Sequence, residues 1–299
     1  MNVVELNGVT KTFGKTHAVN DLSFDVGRGE IFGLLGPNGA GKTTCIRLML
    51  DIFKPDHGSI SIFGGPITEE KKEKIGYLPE ERGLYQDIPL ERCLVYLGTL
   101  KGLSSSEAHK RLTSLLEQFD LSAHRKKKIK ELSKGMQQKA QIIATIIHKP
   151  ELIIIDEPFS SLDPINTQMV KDMIKKLRDD GATILMSTHQ MHQVEELCER
   201  ILLINEGRGV LYGNLEDIKR RHTGSDLLIK IEGDIPPLPG VLQVSPHNKG
   251  FKLTLGDGIS SQEILKALIG RNIRVDRFEI AIPSLDEIFI RTVQSGDRK

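Results

Sequence analysis

The chain has no long apolar run. Its aliphatic stretches, such as Ile142–Ile147 and Leu152–Ile155, fall far short of the roughly 18 residues that a membrane-spanning helix requires. The N-terminus also lacks the basic-then-apolar form of a signal peptide, so any membrane role is expected from the aqueous side. An excess of charge of either sign is missing too: 41 Lys and Arg against 40 Asp and Glu leave a formal net charge of +1. That excludes whole-protein attraction to nucleic acid or acidic lipid and leaves only local patches open. Cysteine is scarce. Cys45, Cys93 and Cys198 stand far apart in no ligand-like spacing and read as reduced thiols of a cytosolic protein. Across 299 residues, 38% hydrophobic and 27% charged content suits a globular protein with one large domain, or a large and a small one.

What is present begins with Gly36-Pro37-Asn38-Gly39-Ala40-Gly41-Lys42-Thr43-Thr44, a full match to the phosphate-binding loop pattern G-x-x-x-x-G-K-[ST]. The apolar run Glu30–Leu35 before it suits a buried strand, and Cys45–Leu50 after it has helical apolar spacing. Glycines let successive backbone N–H groups curl around an anion, and the helix dipole adds its positive end at the same point. Lys42 is placed to reach the β- and γ-phosphates, and the Thr43 hydroxyl to ligate Mg²⁺.

Further strands are expected at Val3–Leu6, Leu22–Val26, Ser59–Phe63 and Ile75–Pro79, with Gly8 and Gly14 as turn punctuation between the first two. Phe13 lies in that turn region, where an aromatic ring either stacks on a nucleobase or packs beneath its own hairpin. From Leu90 to Phe119, leucines recur at helical spacing, with a helix start at Ser104–Ser106 before Glu107; this predicts a helical insertion within the sheet. The basic run His124–Lys130 reads as a solvated face, with contact to acidic lipid or a partner as the other option. A helix is expected over Met136–His148, ending before Pro150.

Leu152-Ile153-Ile154-Ile155-Asp156-Glu157-Pro158 then delivers two carboxylates at the end of an apolar strand, the edge where open α/β sheets bind ligands. This fits the second Mg²⁺-holding element of phosphate-loop ATPases, with Asp156 binding Mg²⁺ through water and Glu157 polarising the attacking water. His189 follows the next buried strand, Thr183–Met186, at the same edge, where it can sense the γ-phosphate or orient the water. Ile201–Ile204 and Gly209–Tyr212 suggest a hairpin. Beyond a linker at Arg220–Gly224, four short strands and two helices predict a small domain without a cluster suggesting chemistry.

Taken together these residues resemble the ATP-binding subunit of an ABC transporter, over residues 1 to about 220. The distinguishing stretch is Leu132-Ser133-Lys134-Gly135-Met136-Gln137-Gln138-Lys139, similar to the family's signature sequence, with Lys134 where glycine is usual and Met136 where glutamine is usual. Ser160-Ser161-Leu162-Asp163-Pro164 resembles the D-loop, His189 the switch histidine, and Phe13 falls where the family places its base-stacking aromatic. Glu80 stands where a glutamine touching Mg²⁺ is usual; the run Leu78–Tyr85 and the tail with Pro283–Phe289 look like the branch driving ABC-2-type exporters, including sodium-export and drug-resistance ATPases.

The resemblance implies an α/β fold: a phosphate-loop ATPase core with an N-terminal antiparallel β subdomain and a helical insertion (about 86–150), plus a small C-terminal α+β domain at 224–299. It implies an ATPase using ATP and Mg²⁺, with nucleotide held by Phe13, Gly36–Thr44, Ser133 and Gly135. Metal would be held by Thr43, Asp156 and Glu80, and the chemistry carried by Lys42, Glu157 and His189. It further implies membrane-spanning permease subunits, a second ATPase subunit facing head to tail, no nucleic acid, and a peripheral position on the cytoplasmic face. Two other readings are a soluble ABC-type ATPase acting on ribosomes or DNA, and a regulatory nucleotide-binding subunit.

Overall fold

The computed structural model describes residues 1–81, 83–160, 162–248, 250–256 and 258–296. The chain forms two compact units, Met1–Leu215 and Glu216–Lys299.

The first unit opens with a long hairpin, β1 (Asn2–Phe13) and β2 (Thr16–Gly27), joined by β4 (His57–Ile62) in the antiparallel order β2-β1-β4. Along β2 the apolar residues Leu22, Phe24 and Val26 alternate inward, the period that leaves one face of an antiparallel sheet on the core. Only Gly14 lies in the connecting turn. Gly8, expected as turn punctuation, sits inside β1 at φ 57°, where the register with β2 shifts between Leu6 and Val9. It is a bulge, and the expected pair of short strands is therefore one longer ribbon.

The second sheet runs β5 (Ile75–Leu78), β6 (Leu152–Asp156), β7 (Thr183–Thr188), β3 (Ile31–Leu35), β8 (Arg200–Asn205), β9 (Arg208–Asn214). Its first five strands are parallel and β9 returns antiparallel beside β8. β3, β6 and β7 are buried at every position, which explains the apolar runs Ile31–Leu35, Leu152–Ile155 and Ile184–Met186. Parallel neighbours need crossovers. The link from β5 to β6 carries the helical insertion: α3 (Leu90–Leu100), α4 (Ser105–Gln118) and α5 (Lys134–Ile146). Ser104 caps α4 through a reciprocal box with Glu107. α5 begins two residues before its expected start, because the Ser133 hydroxyl accepts the Met136 N–H at 3.2 Å. The basic run leading to it is mostly exposed, and its Lys130 pairs with Asp87 at 2.6 Å.

The unit also holds the helices α1 (Lys42–Met49), α6 (Pro164–Asp179) and α7 (Met191–Leu197). A further short one, α2 (Glu69–Glu73), buries no residue and so has no apolar period to betray it. The second unit begins in α8 (Leu215–His222), so Arg220–His222 are helical where an open linker was expected. Its antiparallel sheet has the order β11 (Val241–His247), β12 (Gly250–Leu255), β10 (Leu227–Ile231), β13 (Val275–Ile280), with α9 (Ser261–Ile269) and α10 (Leu285–Gly296). Leu227, Ile229, Leu253, Ile264 and Leu268 form its core. Among the described residues no helix is long and apolar enough to cross a membrane.

One close approach ties the helical insertion to the sheet. A Cβ on Gly76 of β5 would lie 2.5 Å from the Thr145 carbonyl oxygen of α5 and 2.9 Å from Pro150 Cγ. Both neighbours are stiff, so Gly76→Ala is expected to force α5 off β5 and destabilise the unit by about 1–3 kcal/mol. A fall in the thermal unfolding midpoint checks this; an unchanged midpoint would contradict the close packing.

Candidate functional site

β3, β6 and β7 are neighbours, so three chain segments leave the sheet side by side. The register pairs Leu35 with Thr188 and Asp156 with Ser187. These are the C-terminal ends of adjacent parallel strands, the edge where such sheets take ligands.

From β3 the chain enters the loop through Gly36 at φ 149°, passes Gly39 at φ 81°, and reaches Gly41 at φ 110° as the N-cap of α1. Two of these positions demand glycine for space as well as for conformation. A Cβ on Gly36 would stand 2.2 Å from the Ile204 carbonyl oxygen, and one on Gly41 2.2 Å from that of Ala18. The loop is thus clamped between β8 and the β1–β2 hairpin. Gly41 brings no capping side chain, which leaves the first-turn N–H groups of α1 directed at the space a phosphate would fill.

Lys42 is 6% exposed. Its Nζ donates to the carbonyls of Gly36 at 2.8 Å and Pro37 at 3.2 Å, and stands 3.5 Å from Glu157 Oε1. The Thr43 hydroxyl donates to Asp156 Oδ2 at 3.1 Å, and the Ser187 hydroxyl donates to the other oxygen of the same carboxylate. Glu157 holds a left-handed backbone at φ 50°, costly for a residue with a side chain, and its N–H donates to the Ser187 carbonyl at 3.0 Å. Thr188 Oγ1 donates to Glu157 Oε2 at 3.1 Å, and His189 Nδ1 meets Oε1 at 2.9 Å. Since a carboxylate only accepts, that contact puts a proton on Nδ1 of His189. Burial, together with the Asp156 charge, pushes the nearby Tyr77 hydroxyl up to about 12. Burial alone does the same to the Cys45 thiol behind the loop, which therefore stays protonated.

A cavity of about 510 Å³ opens over this cluster, lined by Asn38, Gly39, Gly41, Lys42, Thr43, Thr44, Glu80 and Glu157. Thr16, His17 and Ala18 from the first hairpin and Glu206 and Gly207 from the β8–β9 turn complete the lining. Gly36, Pro37 and Ala40 belong to the same loop without facing the cavity. Asp156 and His189 reach it through Thr43 and Glu157.

Not every expected site residue is brought in. Phe13 is 45% exposed, lies edge-on to Phe53 at 5.3 Å, and is not among the lining residues, although Thr16–Ala18 across its turn are. Ser133 and Gly135 open α5 and do not line this cavity either. Asp163 caps α6 by accepting the Asn166 N–H at 2.9 Å. Ser161 and Arg82 lie outside the described residues. Conversely, Ser187, Thr188, Gly207 and Gln141 went unassigned from sequence. The available signal was polarity at positions otherwise demanding an aliphatic: Ser187, Thr188 and Gln141 are all buried.

Residues 19–160 match the family described as "ABC transporter", and residues 213–293 match "ATP-binding protein DrrA1-3-like, C-terminal domain". The uncharacterized ABC transporter ATP-binding protein YhaQ of Bacillus subtilis is 44% identical over 294 residues, covering 97% of this chain and 98% of that protein. The chain belongs to the ABC transporter ATP-binding proteins. This ABC ATPase is also 37% identical over 235 residues to the Nod factor export ATP-binding protein I of Cupriavidus pinatubonensis, covering 78% of this chain and 72% of that one. A solved structure described as the ATP binding subunit of an ABC transporter superposes with a TM-score of 0.69 at 34% identity, covering 73% of this chain and 92% of that chain. The ABC ATPase thus binds ATP through an ABC cassette.

Gly39 and Gly41 separate two costs of a side chain in this loop. A Cβ on Gly39 meets nothing within 4 Å, whereas one on Gly41 collides with backbone. We expect Gly39→Ala to cost only the left-handed strain, about 1–2 kcal/mol, and Gly41→Ala to cost more and also to weaken ATP binding. Thermal unfolding and nucleotide titration of the two variants check the order.

Proposed function

We propose that this ABC ATPase hydrolyses ATP at the Gly36–Thr44 loop to power export through separate membrane-spanning subunits, working as one of two ATPase subunits that face head to tail. The observation that carries the chemistry is the meeting of Lys42, Glu157 and His189 within hydrogen-bonding or ion-pairing distance beside the Thr43–Asp156 pair.

In this reading the loop N–H groups and Lys42 hold the phosphates and neutralise charge that builds on them. Glu157, oriented by Thr188 and His189, accepts hydrogen from a water and turns its oxygen toward the γ-phosphorus. The residues present suit Mg²⁺, because Thr43 and Asp156 offer hard oxygen donors already in contact. Glu80 adds a carboxylate on the same cavity. Among the described residues no group of three or more His, Cys, Asp or Glu could hold a metal ion by itself; in this reading phosphates and waters would supply the remaining ligands. When bound, Mg²⁺ supplies charge neutralisation at the phosphoryl oxygens.

Ser133 and Gly135 stand apart from the cavity of their own chain, which supports their serving the ATP held by a second subunit. There Ser133, the Gly135 N–H and the start of α5 would add donors to the γ-phosphate. Phe13, exposed on the hairpin beside the cavity, would stack on the base. Export is supported by the likeness to the Nod factor export ATP-binding protein I. The membrane subunits would dock on the helical insertion and the 80–85 loop, holding the ATPase peripherally at the cytoplasmic face.

Glu157→Gln is expected to keep ATP binding, slow turnover by about 100-fold or more, and accumulate a dimer in ATP. Phosphate release and size-exclusion chromatography measure these, and wild-type turnover would remove Glu157 from the role. Lys42→Ala is expected to abolish nucleotide binding or hydrolysis; a fluorescent-nucleotide titration and an ATPase assay that both match wild type would sink the assignment of the loop.

A further inference from the structure

Gln141 is a polar side chain on the core face of α5, only 4% exposed between Ala140 and Ile142. An amide buried in this way costs free energy unless its donors are satisfied. Both Nε2 hydrogens go to one loop: the amide donates to the Pro79 carbonyl at 3.2 Å and to the Glu81 carbonyl at 3.0 Å. These carbonyls flank Glu80, which lines the nucleotide cavity with Thr43 and Glu157. One helical turn further on, Thr145 Oγ1 contacts the Tyr77 carbonyl at 3.3 Å while bonding to the Gln141 carbonyl at 3.0 Å. The absent side chain of Gly76 lets α5 come this near. One face of α5 therefore holds the end of β5 and the segment after it at three carbonyls, and the last two of them flank Glu80.

We propose that Gln141 is a positioning residue for the ATP site. By clamping the carbonyls on either side of Glu80 it holds that carboxylate at the nucleotide cavity and sets how tightly the nucleotide-loaded subunit retains a divalent cation. The proposal rests on the reading of Glu80 as a metal-side group. Side chains that act on a metal ligand from behind commonly change metal affinity by about 10–100-fold when removed. The carbonyl clamp is of that kind, acting through the backbone.

The test uses the full chain saturated with the non-hydrolysable analogue AMP-PNP, with Mn²⁺ as the probe and free Mn²⁺ read by electron paramagnetic resonance. Glu80→Ala is expected to weaken Mn²⁺ retention about tenfold. Gln141→Met, which removes both donors at a similar volume, is expected to weaken it comparably, and the double variant to be no worse than Glu80→Ala alone. Gln141→Ala takes its place if Gln141→Met does not fold. A Gln141 variant that lowers only the unfolding midpoint, or whose effect adds in full to that of Glu80→Ala, overturns the clamp. Unchanged Mn²⁺ retention in Glu80→Ala overturns the metal-side reading of Glu80 itself, so the two failures are distinguishable.

Discussion

The ion pair between Lys42 and Glu157 is the constraint on which the rest of the site depends. Its members stand 3.5 Å apart, with side chains 7% and 6% exposed. Two charges removed from water this far are costly, and removing either leaves the other buried and uncompensated. The surroundings are arranged accordingly. Lys42 also donates to two loop carbonyls, and Glu157 also accepts from Thr188 and His189. These partners come from the ends of β3, β6 and β7, so the ion pair exists only when all three strands are in register. The left-handed backbone of Glu157 belongs to the same arrangement, because its N–H bonds to the Ser187 carbonyl while its side chain turns back to the loop.

Around this centre, the first hairpin and the β8–β9 turn reach the ATP site through backbone. The β1–β2 hairpin leaves no room for a side chain at Gly41, and Ile204 leaves none at Gly36. The β8–β9 turn donates the Gly207 N–H to the Ala40 carbonyl at 2.9 Å and accepts the Asn20 N–H at Gly207 O at 2.9 Å, stitching turn, loop and hairpin together. The helical insertion makes the corresponding connection on the other side, where Gln141 grips the loop at Glu80.

Much of this was legible from residue pattern. The loop Gly36–Thr44 announces itself because its glycines answer a local demand, positive φ at Gly36, Gly39 and Gly41, that few other residues meet. The buried strands β3, β6 and β7 were legible because burial on both faces favours apolar runs, here Ile31–Leu35, Leu152–Ile155 and Ile184–Met186. The errors have equally local causes. Gly8 reads as a turn because glycine at positive φ serves bulge and turn alike. α2 went unseen because a helix that buries nothing carries no period. The early start of α5 hinges on a single serine hydroxyl, weak beside the apolar spacing that follows it.

From residue pattern alone came the phosphate loop and the strand carrying Asp156 and Glu157. Each of these is written in contiguous residues whose chemistry is local. Only the tertiary structure decided that Ser187 and Thr188 orient the two carboxylates, that the hairpin and the β8–β9 turn wall the loop, and that a buried amide on α5 holds the backbone around Glu80. The reason is physical. A hydroxyl or amide satisfies any nearby carbonyl or carboxylate, and which one lies nearby is set by the order of strands in the sheet, a property of no segment taken alone.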